Sequence, residues 1–202
     1  MSVSPNFFVP LRADLNTAAG LISTARRVFR FLRWTRFAYE LPANSADKDP
    51  SMAALKTVHF LSNIASCLIE DATTLERLRL LDPKFAALSS LGNLAWLSES
   101  ATGLLITLIV VKKQSEAYKA ALAAWRAALS GGRLEEGRSH GAIAFAQWVK
   151  YHFALVTLFK WAGECVAASH DNGYHGYTKA ALAGSLLSSV ISTYAQSAKL
   201  WK

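Results

Sequence analysis

Residues Ala86 to Val111 run for 26 positions with a single charged side chain, Glu99, and end at Val110-Val111-Lys112-Lys113. A helix needs roughly 20 apolar residues to cross a hydrocarbon core of ~30 Å, and this run exceeds that length. A second near-uncharged run, Ala180 to Ala198, is followed by Lys199, Trp201 and Lys202, residue types suited to a membrane–water boundary. The two runs imply an all-α chain embedded in a membrane through about two transmembrane helices, near 91–111 and 180–198.

Composition agrees. Hydrophobic residues make up 52% of the 202 and mean hydropathy is +0.20, as expected of a chain with a minority of its length in the bilayer. The net charge of +8 points to an acidic partner surface, and the apolar runs make anionic lipid that partner rather than nucleic acid. Two cysteines, Cys67 and Cys165, imply no disulfide framework. The first 20 residues lack a secretory signal pattern, and Leu200-Trp201-Lys202 is not a peroxisomal matrix signal. Delivery to an organelle membrane from the cytosol is the remaining expectation.

The rest of the chain reads as helices. Asp14 is placed to cap one from Leu15 to about Glu40, so that 1–45 forms an N-terminal segment. A polar loop, Ser45 to Pro50, precedes a helical region at 51–111 that leads into the first span. The linker region 112–177 contains a loop at 131–141, marked by Gly131-Gly132 and Gly137 to Gly141, and an apolar helix Ala142 to Ser169 bearing Lys150, Lys160 and Glu164. The last span and a short basic tail occupy 178–202. No period-2 run argues for a sheet.

Two helix faces stand out. At 100° per residue, Ala18, Leu21, Ile22, Ala25, Val28, Phe29 and Leu32 form one stripe. Arg26, Arg27, Arg30 and Arg33 lie opposite, with Phe31 and Trp34 near the boundaries. Such a helix lies in a membrane interface, where each basic residue near an anionic leaflet is worth about 1 kcal/mol. Shallow insertion of Phe29, Leu32 and Trp34 would expand one leaflet and favour curvature. The pattern fits equally an amphipathic helix packed on its own protein with a solvated basic face. In the last span, Ala180, Gly184, Ser188 and Ser192 recur every four residues, as small residues do where membrane helices approach closely. The bland alternative is a span that is merely rich in Ala and Ser.

Chemistry finds no foothold, and the expectation is a protein that is not an enzyme. Glu70 and Asp71 are adjacent, so they point about 100° apart on a helix and read as a solvated or salt-bridged pair. His170 and His175 are too sparse for zinc, and Gly131-Gly132 lacks the Lys-Ser/Thr of a phosphate loop. No metal or cofactor is expected. Glu99 is costly if it faces lipid, so it is expected either to face a partner helix or cavity or, if the span begins near Trp96, to lie nearer the interface.

Three segments in order resemble the peroxin-11 family of peroxisomal membrane proteins. They are Ala25-Arg26-Arg27-Val28-Phe29-Arg30-Phe31-Leu32-Arg33, then Leu68 to Leu75 with its Glu70-Asp71 pair ahead of Trp96, then Gly184 to Tyr194 running to Trp201-Lys202. The resemblance implies a helical protein of the peroxisomal or glycosomal membrane that elongates that membrane through its amphipathic helix. It also implies self-association into a homo-oligomer and recruitment of dynamin-related fission machinery. Passage of small metabolites, with Glu99, Lys150, Lys160 and Glu164 lining a path, is the alternative role.

Overall fold

A computed structural model describes residues 25, 28, 31–173 and 178–200. Arg26, Arg27, Phe29 and Arg30 of the amphipathic stripe lie outside the described residues, as do Asp14 and the small tail Trp201-Lys202. Among the described residues five helices follow one another: α1 (Arg33–Ser45), α2 (Pro50–Arg77), α3 (Ser89–Ser130), α4 (Leu134–Asp171) and α5 (Thr178–Leu200). A short 3-10 helix, Pro83–Leu88, leads into α3. No strand occurs among the described residues.

Local chemistry sets most of the ends. Pro50 opens α2 at a position where its missing N–H costs nothing, and Asp49 caps it by accepting from the Ser51 N–H at 2.9 Å. Asp82 caps the 3-10 helix in the same way, accepting from the Lys84 N–H at 2.9 Å. Gly132, at φ +70°, turns the chain between α3 and α4, and Gly173, at φ +99°, follows α4.

Two boundaries differ from the sequence expectation. The first helix is not continuous to Glu40, because the chain breaks at Leu32, which sits in the left-handed region at φ 62°, ψ 14°. The reason is tertiary: the Leu32 N–H donates to Asp71 Oδ2 of α2 at 3.0 Å. The loop expected at 131–141 shrinks to the turn at 131–133, and Gly137 and Gly141 lie inside α4. There they serve packing, since a Cβ on Gly137 would stand 3.1 Å from Leu129 Cδ2 and one on Gly141 3.1 Å from Trp125 Nε1.

Three helical stretches are long and apolar enough to cross a membrane: Pro50–Arg77, Pro83–Ser130 and Leu134–Asp171. The second contains the expected span 91–111; the first and third come in addition to it. In the last helix the described apolar stretch, Ala180–Thr193, is shorter. At about 1.5 Å per residue, the 42-residue α3 is about 63 Å long, roughly twice a hydrocarbon core. Its second half and the first half of α4 therefore extend past such a core as a paired hairpin.

Among the described residues, backbones pack only between sequence neighbours: α1 on α2, α2 on α3, α3 on α4, α4 on α5. The chain is an antiparallel up-and-down ribbon of helices, curled so that α1 and α2 face α5 without packing on it.

The distribution of side chains is inverted relative to a water-soluble protein. The buried apolar positions are small, namely Cys67, Ala128, Ala144, Ala154, Ala167, Ala168 and Ala181. Alongside them Asn63, Asp71, Glu99, Ser100 and Thr107 are buried. Large apolar side chains point outward instead, among them Leu105, Ile109, Phe159, Leu186 and Val190. Small or polar inside and bulky apolar outside is the arrangement of helices whose solvent is lipid.

Candidate functional site: a polar cleft inside the helix ribbon

The concave side of the ribbon encloses a cleft of about 830 Å³ walled by all five helices. α2 contributes the first polar shelf. One turn apart, His59, Asn63 and Cys67 line the face that looks inward, and α3 presents Glu99 to it. Asn63 Nδ2 donates to Glu99 Oε1 at 2.7 Å, and Cys67 Sγ donates to Asn63 Oδ1 at 3.4 Å. His59 Nδ1 lies 3.0 Å from the Glu99 carbonyl oxygen and 3.3 Å from Thr102 Oγ1, and Ser62 Oγ meets Ser98 Oγ at 2.9 Å. These bonds sew α2 to α3 at membrane depth, where an unpaired polar group has no water to turn to.

The opposite wall is α4 and α5. Ser188 Oγ donates to Glu164 Oε1 at 2.7 Å, and Lys160 Nζ stands 3.4 Å from the same oxygen. The Lys160 ammonium also lies 4.1 Å from the centre of the Trp161 ring, a cation–π contact. Trp161 reaches across the cleft edge-on to His59, with ring centres 5.2 Å apart, and its ring fills the space left by the missing side chain of Gly103.

The close approach of α4 and α5 depends on two glycines. A Cβ on Gly163 would stand 2.5 Å from the Gly184 carbonyl oxygen, and one on Gly184 2.7 Å from that of Gly163. The small-residue strip therefore meets a neighbour within the same chain at Gly184 and Ser188. Ser192 lines the cleft, Ala180 is exposed, and Ala181 takes the buried place beside it.

α1 supplies the remaining wall, and here the expected helix face does not hold. Arg33 turns inward rather than to the outer basic face: one guanidinium nitrogen donates to Cys67 Sγ at 3.4 Å, and its carbon lies 5.5 Å from the Phe37 ring centre. Arg33 Nε is buried without a partner. Leu32 is 48% exposed and Trp34 half-buried, so both stay available on the outer side. Of the pair expected to be solvated or salt-bridged, Asp71 is buried and caps α1 from across the helix interface by accepting from the Leu32 N–H.

Of the four charged residues expected on a polar path, Glu99, Lys160 and Glu164 line the cleft and Lys150 is exposed elsewhere. His59, Asn63 and Trp161 carry the cleft but escaped sequence reasoning. The spacing of His59, Asn63 and Cys67 at every fourth residue of α2 is the signal available for Asn63. Among the described residues, no group of three or more His, Cys, Asp or Glu is placed to hold a metal ion.

An inverted helix ribbon with a polar cleft and an apolar exterior defines the class: an all-α, multi-pass membrane protein. No family model, curated protein or solved structure matches the chain.

Proposed function

We propose that this chain is a peroxisomal or glycosomal membrane protein of the peroxin-11 type that elongates the organelle membrane and promotes its proliferation and fission. The carrying observation is the break at Leu32. There Leu32 takes a left-handed conformation at the start of α1, and Asp71 of α2 holds its N–H from across the helix interface, at the point where the arginine-rich sequence joins the ribbon. A basic, aromatic wedge attached to a membrane-embedded body is the device that expands one leaflet. Self-association, and recruitment of dynamin-related fission machinery, belong to the same reading.

The test is cellular. A fluorescent fusion, overproduced, is expected to tubulate or multiply peroxisomes, and Phe29→Glu or the pair Arg26→Glu, Arg30→Glu is expected to leave targeting intact while removing elongation. Normal elongation by the Phe29 variant would retire the wedge mechanism.

A second reading, passage of small polar solutes across the same membrane, is favoured by the cleft. Ionisable side chains inside a membrane are expensive to keep there and are characteristic of solute and ion pathways.

A further inference from the structure

Carboxylates outnumber cations among the cleft's half-buried and buried charged groups. Arg33 and Lys160 supply two positive groups and Glu70, Glu99 and Glu164 three negative ones, counting His59 as uncharged, while Arg77 and Asp171 line it from exposed positions. Glu164 is already engaged twice, by Ser188 Oγ and by the Lys160 ammonium. Glu99 is engaged by the neutral Asn63 amide at Oε1, and Arg33 reaches only a thiol, a weak acceptor, among the described residues. The cleft thus holds one under-satisfied forked donor and one carboxylate bonded to an amide, on different walls of one space. A guanidinium fork is shaped to grip a carboxylate through two parallel bonds.

The membrane environment decides what such a site accepts. Glu99 lies eight residues beyond Leu91, about 12 Å along the helix at 1.5 Å per residue. At that depth a bare anion on Arg33 would add to three carboxylates already in the cleft, and a bare cation on Glu99 would leave the Arg33 fork unmatched, each opposed by desolvation. A molecule carrying both groups satisfies Arg33 and Glu99 together and leaves the net charge of the cleft unchanged. Trp96, Trp161 and Phe37 add aromatic faces beside the polar groups, and 830 Å³ is within the range of small-molecule sites.

We propose that the cleft binds a small zwitterion of amino-acid type, its carboxylate on Arg33 and its ammonium on Glu99. This rests on the solute-passage reading for its route but not for its binding. The test uses the full chain in lipid nanodiscs with radiolabelled alanine and γ-aminobutyrate as zwitterion probes, and acetate and methylammonium as singly charged ones. At least one zwitterion is expected to bind ten-fold or more tightly than either single charge. Arg33→Gln and Glu99→Gln are each expected to weaken it ten-fold or more, while Tyr39→Phe, at a position 87% exposed, leaves it unchanged. Equal binding of all four probes by the unaltered protein, or full affinity in a helical, monodisperse Arg33→Gln protein, would overturn the proposal. Should the Gln variants not fold, Arg33→Lys keeps the charge but loses the fork, and undiminished affinity there would also overturn it. Uptake into liposomes separates the two ideas: specific binding without uptake retires solute passage and keeps the site, whereas uptake of all four probes alike retires the site and keeps passage.

Discussion

A single hydrogen atom on Gly163 and another on Gly184 let α4 and α5 touch backbone to backbone. A methyl group at either position meets a peptide carbonyl, which cannot rotate away as a side chain does. Gly163→Ala or Gly184→Ala is therefore expected to cost about 1–3 kcal/mol, in the manner of an overpacked core, and to separate Ser188 from Glu164. Denaturation in mixed micelles reads the loss, with Ala180→Leu as an exposed control; an unchanged midpoint in the glycine variants would contradict the contact. Asn63 makes a comparable argument by chemistry rather than shape. Asn63→Leu strips Glu99 of its donor and is expected to cost about 1–3 kcal/mol, the range for leaving a buried polar group unsatisfied. Adding Glu99→Leu should return part of that loss, so a double-mutant cycle with zero coupling would show that the two side chains do not depend on each other.

The orientation of α1 is settled outside α1. Neither Gly nor Pro marks the break at Leu32, and the residue that fixes it, Asp71, lies 39 positions away. A stripe drawn at 100° per residue runs straight through Leu32 and puts Arg33 on the outer basic face, whereas beyond the break its guanidinium reaches Cys67. Leu32→Gly removes the left-handed penalty, roughly 1–2 kcal/mol, and is expected to steady α1. Asp71→Ala removes a cap worth about 0.5–2 kcal/mol and should speed amide exchange across Arg33–Ser45. Equal exchange in both variants would dissociate the cap from the docking of α1. The linker after α1 carries a pH-sensitive tie: Asp47 accepts from Lys56 Nζ at 2.7 Å and from the Asp49 N–H at 3.1 Å. The ammonium, then the amide, hold its carboxyl below the usual range. A lowered folded value means this tie contributes in full above about pH 4 and is lost as acid carries the pH down through that lowered value. An NMR titration of the Asp47 carboxyl checks the direction, and Asp47→Asn should remove the acid-dependent loosening at 46–49.

At the scale of the molecule, antiparallel succession fixes which turns share a side. The loop before α2 and the turn at 131–133 lie at one end of the ribbon, and the segment 78–88 and Asn172-Gly173 at the other. With Cys67 and Cys165 replaced by Ser, Ser130→Cys and Lys84→Cys are expected to react with an impermeant maleimide from opposite sides of sealed vesicles. Reaction of both from the same side would mean that α3 does not cross. Much of this architecture is legible in the sequence, because long apolar runs, Pro50 and Gly131-Gly132 act locally. Ala142 to Ser169 reads less clearly, since Lys160 and Glu164 lower its apolar character and are compensated only by partners on other helices. The glycines at 137 and 141 mislead for a related reason: they mark a loop by composition, yet they make room for Leu129 and Trp125.

The continuity of α3 and α4 through and beyond the apolar zone makes the outer hairpin a lever with its fulcrum at the bilayer. Tyr118 and Tyr151 stack with ring centres 6.1 Å apart and planes nearly parallel, and Trp125 lies on Gly141, so the two arms are braced along their length. A small tilt of these helices around the cleft is delivered to the 131–133 turn as a larger sweep. The aqueous tip is thereby a gauge of what happens between the leaflets.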